Sequence, residues 1–124
     1  MPAALSHRTI LVVEDNDVSR EGLTVVLRHA GYHVLPAANG EEALRLLRAG
    51  PAPDLIMLDM LMPVLDGWHF LDRLQWEPAQ PPVVVTTATA VLGREWAEDH
   101  GCAGFVRKPV EAGELLEEVR RCLG

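Results

Sequence analysis

Five short apolar segments alternate along this chain with five amphipathic segments, and this alternation restricts the fold more than any other feature. The short segments are rich in β-branched and aliphatic residues, as buried strands are. We predict strands at Thr9–Val13, His33–Ala37, Asp54–Leu58, Val83–Thr86 and Phe105–Arg107. The amphipathic segments predict helices at about Val18–Ala30, after Asn39, and at about Asp66–Leu74, Val91–His100 and Glu111–Leu123. Strands that alternate with helices form a parallel sheet covered on both faces, so we expect a doubly wound α/β fold.

Residues at the ends of the predicted elements support this assignment. Asp17 can cap the first helix, and Asn39, with Glu42 three residues later, resembles a capping box before the second helix. Gly31 follows the first helix as a stop signal. Pro36 cannot donate a hydrogen bond to a neighbouring strand, so we expect the second strand at the edge of the sheet. The flavodoxin-like strand order 2-1-3-4-5 has this property.

Length and composition fit one globular domain, which we expect to occupy residues 1–124. The formal net charge is −7, and no basic stripe for nucleic-acid backbones is present, so we expect no direct nucleic-acid binding. No apolar stretch is long enough for a membrane span, and the N-terminus lacks the apolar core of a signal peptide. These features predict a cytoplasmic protein without a membrane partner. Two cysteines do not suggest a disulfide framework.

Polar side chains follow four of the five predicted strands. They are Glu14 and Asp15 after the first strand, Asp59 after the third, Thr86 and Thr87 at the end of the fourth, and Lys108 after the fifth. In the order 2-1-3-4-5 the strand order reverses between the first and third strands, and ligands of such sheets bind beyond the carboxyl ends at this point. Crowded carboxylates there can bind a divalent cation such as Mg²⁺. A carboxylate can also act as a nucleophile and form an aspartyl-phosphate.

Each of these residues also has a purely structural explanation. Acids such as Glu14 and Asp15 often cap the helix that follows a strand, and a threonine at a strand end is usually structural. Lys108 is the only lysine among eleven cationic residues. Its position could be chance, although a compact ammonium suits a phosphoryl oxygen. Asp59 could be a helix cap or a metal ligand, but the apolar residues on both sides of it do not resemble an ordinary turn.

The segments VVEDN, LIMLDMLMPVLDG, VVTTA and FVRKP, in this order and spacing, resemble a response-regulator receiver domain of two-component signalling. The resemblance extends from about Thr9 to Leu123. It implies that Asp59 accepts a phosphoryl group from a phosphohistidine on a sensor histidine kinase or a histidine phosphotransfer protein. It also implies that Mg²⁺ is the cofactor. Its implied ligands are Glu14, Asp15, Asp59 and the backbone carbonyl of Met60.

The resemblance further implies a switch that a downstream partner or effector domain would detect. Thr87 matches the hydroxyl of this switch and is preferred over Thr86 because Ala88 follows it. Phe105, three residues before Lys108, matches the aromatic residue of the switch. Lys108 matches the ammonium that would contact the phosphoryl group. The family implies a cis peptide bond between Lys108 and Pro109.

Two stretches depart from common forms of the family. Leu61 and Thr89, two residues after Asp59 and Thr87 respectively, match positions that tune hydrolysis of the phosphoryl group in the family. An apolar Leu61 cannot position an attacking water, so we predict a long-lived phosphoryl group. The stretch between Thr87 and Lys108 is compact for the family, which predicts a short fourth helix or a tight loop before it.

Three other functions compete with this interpretation. A phosphohydrolase of the haloacid dehalogenase type would need a second aspartate at position 61, where this chain has leucine. A flavin-binding module would need a phosphate loop after the first strand, where Glu14 and Asp15 would repel phosphate. The third alternative is a receiver-like interaction module that is not phosphorylated, but the complete acid, threonine and lysine set argues against it. We therefore expect no enzyme activity beyond catalysis of the domain's own phosphorylation and dephosphorylation.

Overall fold

The structure is a computed structural model that describes residues 8–60, 66–89 and 91–123. Within these ranges five strands form one sheet in the order β2-β1-β3-β4-β5, and all neighbouring pairs are parallel. The strands are β1 (Thr9–Val13), β2 (His33–Ala37), β3 (Leu55–Asp59), β4 (Val83–Thr87) and β5 (Gly104–Arg107). This order confirms the predicted doubly wound α/β fold. It also places β2, with Pro36, at one edge of the sheet, as predicted.

In the part of the chain that the structure describes, five helices alternate with the strands and cover both faces of the sheet. They are α1 (Asp17–His29), α2 (Gly40–Ala49), α3 (Gly67–Leu74), α4 (Arg94–Asp99) and α5 (Ala112–Leu123). One apolar cluster packs α2, α3 and α4 against one face, and a second packs α1 and α5 against the other. Successive strand residues point to opposite faces. In β1, for example, Leu11 belongs to the first cluster and Val12 to the second.

The structure corrects the predicted start of the first helix. Asn16, not Asp17, is the cap: its side-chain oxygen accepts a hydrogen bond from the Ser19 backbone N–H at 2.8 Å. Asp17 is the first helical residue, where its carboxylate pairs with Arg20 at 2.6 Å. The helix begins one residue earlier than predicted because the Asn16 N–H donates to the side chain of Glu14, which directs the chain out of β1.

The second helix begins close to the predicted capping box. Asn39 accepts a hydrogen bond from the Glu42 backbone N–H at 2.9 Å, as expected. The Glu42 carboxylate, however, reaches the N–H of Ala38 at 2.7 Å, one residue further back than in a standard box. The first interaction satisfies an amide that the helix itself leaves without a partner, and the second binds the amide of the residue before the cap.

The fourth helix is shorter than the predicted Val91–His100 and contains only Arg94–Asp99. Its N-cap is Gly93, which provides no side-chain cap. The carbonyl of Leu92, just before this cap, accepts a hydrogen bond from Arg107 instead of extending the helix. Gly101, with φ of 75°, ends the segment on the other side. A short fourth helix agrees with the compactness noted in the sequence.

Among the described residues, no helix combines the length and the apolar character that crossing a membrane would require. The peptide bond between Lys108 and Pro109 is cis, as the resemblance implied.

Candidate functional site

Three carboxylates meet at the carboxyl-end edge of the sheet. Glu14 directly follows β1, and Asp59 is the last residue of its neighbour β3. Glu14, Asp15 and Asp59 can each direct a carboxylate oxygen into one volume, with these oxygens within 4.8 Å of one another. Glu14 and Asp59 are only 1% and 4% exposed. Buried carboxylates this close repel one another strongly unless a cation lies between them.

The Lys108 ammonium provides part of this compensation. Its Nζ lies 2.7 Å from Glu14 Oε1 and 3.5 Å from Asp59 Oδ2. Burial alone would lower the pKa of Lys108, but the hydrogen bond that Lys108 donates to Glu14 and the charges of Asp59 and Glu14 outweigh it and raise the pKa. Lys108 therefore stays charged at neutral pH and ties the residue after β5 to the acids after β1 and β3.

Glu14 is fixed on several sides. Its backbone N–H donates to the Ala37 carbonyl at 3.0 Å, and its carbonyl accepts from Arg20 Nη1 at 2.9 Å. Its second carboxylate oxygen accepts from the Asn16 N–H at 3.1 Å. Because both carboxylate oxygens already have partners, a cation at this site would share Glu14 with Lys108 and the Asn16 amide.

The set of donors suits Mg²⁺, which prefers carboxylate and carbonyl oxygens and retains several water ligands. The carbonyl of Met60, the fourth predicted ligand, accepts a hydrogen bond from the Gly67 N–H at 3.1 Å. A carbonyl oxygen has two lone pairs, so this bond leaves one for a metal. The Met60 backbone approaches α3 so closely that a Cβ on Gly67 would lie 2.6 Å from Met60 Cα. Only glycine fits at this contact.

Two threonines end β4 and face opposite sides of the sheet. Thr86 is in register with Asp59, and its hydroxyl lies 3.5 Å from the Leu58 carbonyl. Strand alternation places Thr87 on the other side, together with Phe105. The Thr87 hydroxyl accepts a hydrogen bond from the Thr89 N–H at 3.2 Å. Thr87 thus lies on the same face as the other residue of the predicted switch.

Phe105 is buried in the apolar cluster beneath α2, α3 and α4. Its backbone N–H donates to Glu118 Oε2 at 2.8 Å, and its carbonyl accepts from Arg94 Nη2 at 3.4 Å. The guanidinium of Arg107 lies over its ring, with Cζ 5.0 Å from the ring centroid. The Phe105 backbone is therefore hydrogen-bonded to residues of α4 and α5, while its ring lies in the first apolar cluster beside Arg107.

Glu118 is a buried acid that the sequence analysis did not single out. In addition to the Phe105 N–H, its Oε2 accepts hydrogen bonds from Arg94 on α4 and Arg121 on α5, both at 2.9 Å. Burial alone would raise the pKa of Glu118, but the bonds from Arg121, Arg94 and Phe105 lower it to about 2. One signal was available: Glu118 follows Leu115 by three residues and so belongs to the inward stripe of the helix.

The prediction of slow hydrolysis depends on Leu61, which lies outside the described residues. It stays a prediction. Of the other predicted site residues, the structure brings Glu14, Asp15, Asp59 and Lys108 together, with Met60 next to them. Thr87 and Phe105 lie on one face of β4 and β5, and Thr86 lies on the other.

Comparison with known proteins extends these observations. The sequence model of the response regulator receiver domain matches residues 10–120. Protein PilH of Pseudomonas aeruginosa is 31% identical over 117 residues, which cover 92% of this chain and 96% of PilH. The polar-differentiation response regulator DivK of Brucella anthropi is 30% identical over 123 residues, which cover 94% of this chain and 97% of DivK.

Other relatives are longer proteins. The chain spans about half the length of the transcriptional regulatory protein AfsQ1 of Streptomyces coelicolor, with 32% identity over 93% of the chain and 51% of AfsQ1. It spans a similar share of several further curated transcriptional regulators.

Solved structures agree with the fold and with the family. The chemotaxis protein CheY4 of Vibrio cholerae superposes with a TM-score of 0.80 at 30% identity, covering 93% of this chain and 98% of that chain. A response regulator receiver protein from Pseudomonas putida gives a TM-score of 0.83 at 29% identity, with coverage of 93% and 97%. The family model matches 111 of the 124 positions, and PilH and DivK are covered over nearly their whole length. This chain therefore belongs to the family of response regulator receiver domains.

Proposed function

We propose that this receiver domain accepts a phosphoryl group on Asp59 with Mg²⁺ as cofactor. The observation that carries the proposal is the Lys108 ammonium, which bridges Glu14 and Asp59 beside Asp15. A nucleophilic carboxylate, a fixed cation and a set of oxygen ligands are the components that phosphoryl transfer to an aspartate requires.

In the proposed reaction a carboxylate oxygen of Asp59 attacks the phosphorus of a phosphohistidine. The new P–O bond forms as the P–N bond breaks, and the departing imidazole takes up a proton. Lys108, at 3.5 Å from Asp59 Oδ2, lies close enough to exchange this contact for one with a phosphoryl oxygen. Bound Mg²⁺ would supply further neutralisation of the phosphoryl charge, held by Glu14, Asp15, Asp59 and the Met60 carbonyl.

The phosphoryl group would carry about −1.5 to −2 charges, by analogy with other phosphorylated side chains. It replaces the single negative charge of the attacking Asp59 carboxylate, so the net gain of negative charge is smaller, but three new acceptor oxygens lie at the sheet edge. We propose that the Thr87 hydroxyl then donates to a phosphoryl oxygen and that the Phe105 ring fills the space left behind. Both residues lie on one face of the sheet beside α4, so their movement would change the surface that α4, β5 and α5 present.

The proposed partners follow from this chemistry. A sensor histidine kinase or histidine phosphotransfer protein would supply the phosphoryl group, and a downstream protein or effector domain would bind the altered surface. We propose a cytoplasmic location for the domain, and catalysis limited to its own phosphorylation and dephosphorylation. The slow hydrolysis predicted from Leu61 would be contradicted if the phosphorylated protein lost its label within seconds.

Incubation with acetyl phosphate and Mg²⁺, followed by intact mass, tests the proposal. We expect the mass gain of one phosphoryl group, which requires the metal and is absent from the Asp59→Asn variant. A gain that survives this substitution would contradict the assignment of Asp59. No gain in the wild type would favour the alternative of a receiver-like interaction module without phosphorylation.

Isosteric variants distinguish the two threonines. Thr87→Val removes the predicted switch hydroxyl, and Thr86→Val removes the hydroxyl that lies near the Leu58 carbonyl. We expect Thr87→Val to be phosphorylated but to lose the phosphorylation-induced shifts of amide resonances in α4 and β5. If Thr86→Val lost these shifts and Thr87→Val kept them, the switch hydroxyl would be Thr86.

A further inference from the structure

Arg107 holds the loop between β4 and α4 against β5. Its two terminal nitrogens each donate to a loop carbonyl: Nη1 to Thr89 at 2.7 Å and Nη2 to Leu92 at 2.7 Å. Arg107 is in register with Thr87 on the neighbouring strand and lies on the same face of the sheet. One guanidinium thus contacts Thr89, two residues after β4, and Leu92, two residues before α4.

The loop that Arg107 holds also fixes the hydroxyl of Thr87. The carbonyl of Thr89 accepts from Arg107, and the N–H of the same residue donates to Thr87 Oγ1 at 3.2 Å. Movement of the Thr87 side chain towards a group on Asp59 would strain or break this N–H contact. Such movement is therefore coupled to the position of the loop, and through it to Arg107.

The same guanidinium contacts the aromatic residue of the proposed switch directly. Its Cζ lies 5.0 Å from the centroid of the Phe105 ring, within the range of a cation–π contact. Phe105 precedes Arg107 by two residues on β5, so both side chains lie on one face. Arg107 consequently contacts one switch residue and, through a single loop residue, holds the other.

We infer that Arg107 is a positioning residue that stabilises the unphosphorylated arrangement of Thr87 and Phe105 by latching the β4–α4 loop. The inference rests on the proposed function, because it concerns the switch of that same site. In the unphosphorylated protein the guanidinium holds the loop and lies over the ring. These contacts of Arg107, with the Thr89 and Leu92 carbonyls and the Phe105 ring, are called the latch below. A shift of Thr87 and Phe105 towards the phosphorylated arrangement requires at least one of them to break.

The planar shape of the guanidinium is essential to the latch. Two terminal nitrogens donate to two carbonyls while the guanidinium carbon lies 5.0 Å from the centroid of the Phe105 ring. Lysine at position 107 retains the charge, but its three N–H donors come from a single nitrogen, which cannot reach both carbonyls and the ring as the guanidinium does. Arg107→Lys should therefore behave like Arg107→Gln, although only the glutamine variant loses a positive charge.

Beryllofluoride with Mg²⁺, an analogue of the phosphoryl group, provides the test. Its affinity is measured calorimetrically for the wild type, Arg107→Gln, Arg107→Lys and a control, Arg45→Gln, which removes an exposed arginine from α2. If the latch opposes the switch, both Arg107 variants should bind about three- to tenfold more tightly than the wild type. Loss of a positive charge alone would weaken binding of the anion, so the expected change has the opposite sign to a charge effect.

Amide exchange of the unphosphorylated proteins supplies a second measurement. The N–H groups of Thr89 and Val91, which bond to Thr87 and to Thr89 side chains, should exchange several-fold faster in the Arg107 variants than in Arg45→Gln. Unchanged exchange, or faster exchange with unchanged or weaker beryllofluoride affinity, would overturn the inference. A wild-type protein that does not bind beryllofluoride at all would instead contradict the proposed function, and the inference would fall with it.

Discussion

Replacing Glu118 with glutamine removes the negative charge that joins α4, β5 and α5, and the fold should lose about 2 kcal/mol of stability. The pKa of this carboxyl falls from the usual 4.5 to about 2. At about 1.4 kcal/mol per pKa unit, that fall sets an upper limit of about 3.4 kcal/mol. The side chains of Arg94 and Arg121 are 51% and 54% exposed, so solvent screening reduces the effect below this limit.

The stabilisation by Glu118 depends on pH with a definite sign. Because the pKa is lower in the folded state, the contribution is fully present above about pH 5 and decreases as the pH falls from the unfolded value of 4.5 towards 2. About half of it should be lost near pH 3. The difference between the wild type and Glu118→Gln should therefore be largest at neutral pH and shrink in acid.

Urea denaturation at several pH values between 3 and 7 measures this difference. Glu117→Gln is the matched control, since Glu117 precedes Glu118 on α5 but is exposed. We expect this control to change stability by less than about 0.5 kcal/mol. A Glu118→Gln variant as stable as the control at pH 7, or a difference that grows as the pH falls, would refute the reasoning.

Three further predictions concern the carboxylate site. Gly67→Ala should destabilise the fold by about 1–3 kcal/mol in urea denaturation, because the new Cβ would lie 2.6 Å from Met60 Cα. A gain in stability, as expected when alanine replaces a helical glycine with open space around it, would contradict this packing. Asp15→Asn should weaken Mg²⁺ binding by at least about tenfold in a calorimetric titration, and unchanged affinity would remove Asp15 from the ligand set. Lys108→Gln should slow phosphorylation by acetyl phosphate by about a hundredfold, and a rate within twofold of the wild type would show that the ammonium does not assist transfer.

The sheet and the carboxylate site were predictable because they follow from strong local patterns. Each strand is a short apolar run, and the parallel order brings the polar residues after those runs to one edge. Asp59 was identified by its position at the end of such a run, and Lys108 by being the only lysine. The structure places Lys108 Nζ 2.7 Å from Glu14 and 3.5 Å from Asp59, as a shared site requires.

The features that the sequence did not reveal depend on contacts between distant segments. The position of Glu118 on the inward stripe of α5 does not reveal its partners. Its burial depends on Arg94 and on the absence of a side chain at Gly104, where a Cβ would lie 2.6 Å from Glu118 Oε2. The choice of Asn16 over Asp17 as helix cap depends on the path of the chain out of β1. Likewise, α4 begins late because Arg107, from a different strand, holds the carbonyl of Leu92 before it.

The central claim is that Asp59, and no other carboxylate of the cluster, carries the phosphoryl group. Reduction of the phosphorylated protein with tritiated borohydride converts an aspartyl-phosphate to a labelled alcohol, which peptide mass spectrometry can locate. We predict label at position 59 alone, dependent on Mg²⁺ during phosphorylation. Label at Glu14 or Asp15 in the phosphorylated wild type, or none at position 59, would contradict the account.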